Sequence, residues 1–105
     1  MSRDSENIDP LTIDIFNAII FDLQGTSNHF LQTDLALTKH LETIKCLCSN
    51  CVSTRNEVIN LSRLLHNEIV AKRMENTLFI TSNMEANATK IAHKANESLL
   101  CPWNK

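Results

Sequence analysis

The sequence predicts an all-α chain of long helices, arranged as an elongated coiled coil or a helical bundle. Proline occurs only at Pro10 and Pro102 and glycine only at Gly25, so a single glycine is all that interrupts the stretch between the two prolines. Apolar residues recur every seven positions, at Phe16, Leu23, Phe30, Leu37, Ile44, Cys51, Val58 and Leu65, without a miss. The apolar share of 43% excludes outright disorder, yet aromatic residues make up only 5%, fewer than a compact core commonly holds. At 105 residues the chain has the size of one small domain, which makes a covering partner a live question from the start.

Residues 1–10, "MSRDSENIDP", are polar and acidic and read as a disordered tail; 11–100 read as one helical domain, and 101–105 as a C-terminal tail. Leu11 to Leu23 is the most apolar segment. It opens with strand-like alternation, but Phe16, Ile19, Ile20 and Leu23 follow at helical spacing. Ile13, Ile15, Phe16, Ile19, Ile20, Phe21 and Leu23 cannot share one face, so this helix should be covered from two sides. Its polar positions carry Asp14 and Asp22 rather than Lys or Arg, which argues against a helix lying on a membrane surface.

A break is expected at Gly25, where glycine tolerates the left-handed conformation of a helix cap. One or two long helices should follow, over about 28–51 and 54–100, any division between them falling near Ser53. There Thr54-x-x-Glu57 fits a capping box, in which the two side chains satisfy backbone donors of a new helix. The heptad phase is common to both sides of Cys51, which favours an extended form, a rod of roughly 100 Å at about 1.5 Å per residue. Pro102 ends the helix by disfavouring helical geometry before it.

Taking the seven-residue stripe as heptad a positions places Ile19, Thr26, Thr33, His40, Leu47, Thr54, Leu61 and Glu68 at d, where three of eight are apolar. The seam is therefore incomplete alone, and a second helical chain would complete it. On this reading the protein interface consists of Phe16, Ile20, Leu23, Phe30, Leu37, Ile44, Leu47, Cys51, Val58, Leu61 and Leu65. Beyond Leu65 the register slips to a stripe of smaller residues, Val70, Met74, Thr77, Thr81, Met84, Ala88, Ile91, Ala95 and Ser98.

The net charge of −2 conceals an asymmetry. Through Asp34 one arginine faces six acidic residues; from Leu35 onward nine basic residues face six glutamates. Parallel self-pairing would set like charges together, so hetero-oligomers are favoured over homo-oligomers. The basic residues are thinly spread and interleaved with Glu, which is not the footprint of a nucleic-acid binder. No segment has the apolar length of a membrane span, and the polar N-terminal residues do not resemble a secretory signal. An intracellular setting follows, cytoplasmic with the nucleus as an alternative, and there the four cysteines are reduced. Glycine scarcity excludes phosphate-cradling loops. The function expected is that of a non-enzymatic scaffolding or adaptor subunit in a hetero-oligomeric complex, without cofactor or metal.

Against it stands a small metal-binding or thiol-redox protein using Cys46, Cys48 and Cys51. At about 100° per residue, Cys48 and Cys51 lie about 60° apart, but Cys46 is about 140° from Cys51 and 160° from Cys48. An unbroken helix cannot bring three such sulfurs onto one ion. The metal reading requires the helix to unwind here, and a closed structural site needs a fourth ligand, from His40, His66 or Cys101. A third alternative is a self-contained helical bundle that binds one partner.

Overall fold

A computed structural model of the protein describes residues 10–25, 31–42, 44–99 and 101. Those residues form four helices and no strand: α1 Pro10–Gln24, α2 Gln32–Glu42, α3 Ser49–Met74 and α4 Ser82–Leu99. Of the tails expected at 1–10 and 101–105, residues 1–9 and 102–105 lie outside the described residues, as does Phe30 of the stripe, while Pro10 belongs to α1. No described helix is long and apolar enough to cross a membrane.

Helix α1 opens on Pro10, whose fixed φ suits the first helical position. Leu11, Ile15, Ala18, Ile19, Asp22 and Leu23 form its buried face at three- and four-residue spacing. Ile13, Ile20 and Phe21 stay exposed, so the chain itself covers one of the two expected sides. The break at Gly25 is present, but not through left-handed backbone: Gly25 has no positive φ. A Cβ there would stand 2.9 Å from the Phe21 carbonyl oxygen, so glycine permits a close approach to the preceding turn.

Asp22, buried at 3% exposure, performs a cap for its neighbour. Its carboxylate accepts from the Gln32 N–H at 2.7 Å, the Thr33 N–H at 3.0 Å and the Thr33 hydroxyl at 2.6 Å. These are orphan donors of the first turn of α2, where negative charge is also favoured by the helix dipole. Asp34 of α2 meets His66 of α3 at 2.8 Å.

Helix α3 runs through Ser53 without a break, and Thr54 is a buried interior residue, not a cap. The capping box fails because the helix has already started at Ser49. A turn not foreseen from the sequence then separates α3 from α4. Asn76 takes φ 62°, the Thr77 N–H reaches the Lys72 carbonyl at 2.8 Å and the Asn76 N–H reaches that of Arg73 at 3.1 Å. This pair of bonds around a left-handed residue is a Schellman termination. Thr81 caps α4 by accepting from the Met84 N–H at 3.1 Å, and its hydroxyl donates to Glu68 at 2.8 Å.

Helices α3 and α4 form an antiparallel hairpin: Glu68 pairs with Thr81 and Asn83 near the turn, while Glu57 meets Lys94 at 3.5 Å farther along. Small residues on α4, Ala88, Ala92 and Ala95, are fully or nearly fully buried and let the two helices approach closely. Arg73 donates to the Gly25 carbonyl at 3.2 Å, tying the end of α3 to the end of α1.

The fold corrects the elongated arrangement. Leu23, Leu37, Val58 and Leu65 of the heptad stripe lie in one core with Ile15, Ile19, Ile69, Met84 and Ile91. Phe16 and Leu61 are partly buried against it. Ile44 and Cys51 belong to a smaller cluster with Cys46. The ribbon is thus sheltered by the chain's own helices. Ile20 and Leu47, expected at the seam, are 41% and 81% exposed and stand apart from both clusters. The body measures 43 × 39 × 19 Å, far from a rod.

Candidate metal centre

The helix does unwind at the cysteines, ahead of the point foreseen. Helix α2 ends at Glu42, and Ile44 to Cys48 are non-helical before α3 begins at Ser49. Ile44 turns inward at 2% exposure, its N–H on the Leu41 carbonyl at 3.1 Å. Its own carbonyl accepts from the Arg55 guanidinium at 3.4 Å. This buried anchor carries the seven-residue apolar period across a segment that is not helix.

Cys46 consequently sits in the loop, released from helical phase. Cys48 is the N-cap of α3, with extended backbone (φ −64°, ψ 157°), and Cys51 lies in the first turn. Backbone donors point at two of the sulfurs: the Cys48 N–H at Cys46 Sγ, 3.4 Å, and the Cys51 N–H at Cys48 Sγ, 3.5 Å. Cys101 arrives from the opposite end of the sequence, just past α4, where its N–H bonds the Ser98 carbonyl at 3.1 Å. Its sulfur lies 3.6 Å from that of Cys46. All four sulfurs are within 4.8 Å of one another.

A tetrahedral zinc with Zn–S bonds of about 2.3 Å separates its sulfurs by roughly 3.8 Å. The cluster therefore has the dimensions of a mononuclear tetrathiolate site, needing only a slight contraction. An iron–sulfur cluster would set several irons and sulfides between the cysteines and hold them farther apart. Four thiolates are a soft donor set suited to Zn²⁺. Cys51 and Cys46 are buried, Cys101 is half-buried, and Cys48 faces solvent.

The thiols differ in acidity. The N–H of Cys51 and the neighbouring thiols hold Cys48 down at about 7. Cys51 is pushed well above the usual thiol range, first by burial and then by its hydrogen bonds to the other cysteines. For Cys46 the Cys48 N–H draws downward, but burial and the thiols of Cys48 and Cys101 outweigh it and the net direction is up. A buried thiol that resists ionisation in water is what a dication would reverse, because the metal supplies the compensating charge.

Of the three fourth-ligand candidates, Cys101 is the one the fold delivers. His66 faces Asp34 and His40 lies 3.8 Å from Asp14, both away from the cluster. The helical phase that sets Cys46 on a different face from Cys48 and Cys51 does not apply, because Cys46 lies between helices α2 and α3. Thr54 and Glu57 were the wrong restart signal, and the spacing of the cysteines themselves marked the break. Among the described residues the cluster consists of the four cysteine sulfurs, with no histidine or carboxylate in the group.

No protein-family model matches this chain, and no curated protein or solved structure matches it either.

Proposed function

We propose that the protein is a small non-enzymatic helical module stapled by a structural Zn²⁺ on Cys46, Cys48, Cys51 and Cys101. The observation that carries this reading is the convergence of four sulfurs from two distant parts of the sequence to within 4.8 Å. Four protein ligands leave no open position for substrate, which marks a structural and not a catalytic ion. The residues act by holding the loop before α3 and the end of α4 together; the two N–H donors stabilise the thiolates of Cys46 and Cys48.

The test is metal analysis of the chain purified under reducing conditions, followed by exchange to Co²⁺. One metal per chain, with thiolate-to-cobalt charge transfer and the visible bands of tetrahedral cobalt, is the expected result. Cys51→Ser and Cys101→Ser should each abolish the tetrathiolate spectrum. Absence of stoichiometric metal together with no cobalt spectrum overturns the reading.

Service in a hetero-oligomeric complex is compatible with the staple and rests on a different surface from the heptad stripe. Ile13, Ile20 and Phe21 of α1 and Leu35 of α2 expose 41–60% of their surface. A shallow groove between the two helices, lined by Ala18, Phe21, Leu35 and Ala36, is flanked by Asp14 and Lys39. Phe21→Glu combined with Leu35→Glu should leave the circular dichroism spectrum unchanged while removing companion polypeptides from the native complex. Companions retained by this variant would count against that role.

A further inference from the structure

The four sulfurs are not equivalent towards oxidation. Cys46 and Cys101 form a close sulfur contact of 3.6 Å, and neither residue lies in a helix. A disulfide needs about 2.05 Å, so closure requires a shift of roughly 1.5 Å, which a loop and a post-helical segment can make without deforming α3 or α4. Cys51 is fixed in the first turn of α3 and fully buried, which removes it from attack by a dissolved oxidant. Cys101 is half-buried and offers the solvent-facing member of the close pair.

We propose that Cys46 and Cys101 form a peroxide-sensitive modification site that releases the ion when oxidised. This rests on the zinc reading of the same cluster. The Cys101 thiolate attacks one oxygen of a hydroperoxide; the O–O bond breaks, and the leaving oxygen departs as water or alcohol after taking a proton from solvent. Cys101 is now a sulfenic acid. The Cys46 thiolate attacks its sulfur, the S–O bond breaks, and hydroxide leaves and is protonated to water. The two sulfurs have lost two electrons and the hydroperoxide has gained them. A disulfide sulfur is a poor zinc ligand, so the ion retains only Cys48 and Cys51 and is lost to solvent or to a chelator. The bond spans the same two segments that the zinc joined, so the released form keeps its ends together.

The experiment treats the full, zinc-loaded chain, freed of reductant, with hydrogen peroxide. Zinc release is followed with a chromogenic chelator and cross-links are mapped by peptide mass with and without reductant. Loss of one zinc for each Cys46–Cys101 disulfide, with zinc binding restored by thiol reductant, is expected. Zinc retained under excess peroxide overturns the proposal. So does zinc lost with a Cys48–Cys51 disulfide, or with Cys48 driven to sulfinic acid and no cross-link. A chain that gives no cobalt spectrum yet forms the Cys46–Cys101 bond overturns the zinc reading and upholds the pairing, so the two failures are distinguishable.

Discussion

Cys48 shows how one backbone position changes a side chain's chemistry. As the N-cap of α3 its sulfur receives the Cys51 N–H, and its pKa falls to about 7 from an ordinary 9.0. The folded thiol is therefore largely thiolate where a free one is not, and its reactivity follows the thiolate. In metal-free, reduced protein, iodoacetamide should modify Cys48 at a rate that climbs steeply between about pH 6 and 8 and then levels, because ionisation is then complete. Cys51, buried and shifted upward, should remain unmodified over that range, and bound zinc should slow alkylation of the others. Peptide mass mapping of alkylation against pH checks this; equal modification of Cys48 and Cys51 would contradict the geometry. From sequence the spacing of Cys46, Cys48 and Cys51 was visible, and Cys101 could be named only as one of three candidates. Nothing local to Cys101 reports a partner fifty-five positions away; only the hairpin of α3 and α4 brings it there.

Among the elements, α2 is the one that cannot stand on its own sequence. At 11 residues it is shorter than the roughly 12–15 at which even good isolated helices become marginal. Its first turn is satisfied from α1 by the buried Asp22 carboxylate, which takes three hydrogen bonds. Removing a buried charged acceptor leaves its donors unpaired, and hydrogen bonds to charged groups contribute about 1.5–3 kcal/mol each. Since such terms are not additive, Asp22→Ala should cost about 3 kcal/mol overall in urea unfolding, with amide exchange accelerated first in α2. Asp22→Asn, which keeps one acceptor oxygen, should cost less. A loss within 0.5 kcal/mol for the alanine variant would show that the cap is not stabilising. Element boundaries were legible where chemistry is local, at Gly25 and at the apolar face of α1. They were misread where tertiary contacts carry the pattern: Ile44 keeps the heptad phase from within a loop, so the periodicity ran unbroken through a real break. The turn after α3 left a trace in the sequence, in Asn76 and in the cluster Thr81, Ser82, Asn83, and the register slip past Leu65 was its other sign.

For the whole molecule, the stripe that reads as a seam for another chain is the seam between the chain's own helices. Periodicity identifies a buried face but carries no information about which helix buries it, so bundle and rod are degenerate until the turn at Asn76 is placed. Small-angle scattering separates them: the folded chain has a Cα radius of gyration of 14.3 Å, whereas a rod of roughly 100 Å would give about 29 Å. The same fold dictates what a bound zinc would contribute. Ile15, Ile19, Leu65, Ile69, Met84 and Ile91 are buried without any cysteine among them, so the main core is independent of the metal. A tetrathiolate ion there would close the one end of the α3–α4 hairpin that lacks a covalent turn. Chelation should therefore leave most of the helical signal and the scattering radius intact. Linkage still lowers stability: with free zinc a hundredfold above its dissociation constant, removal costs about 2.7 kcal/mol. For a domain of this size that corresponds to a fall in Tm of about 10 °C or more. Thermal melts of the zinc-loaded chain with and without chelator measure it. Complete unfolding on chelation would place the stability in the metal centre instead of the helical core, and an unchanged Tm would show that these thiols hold no ion.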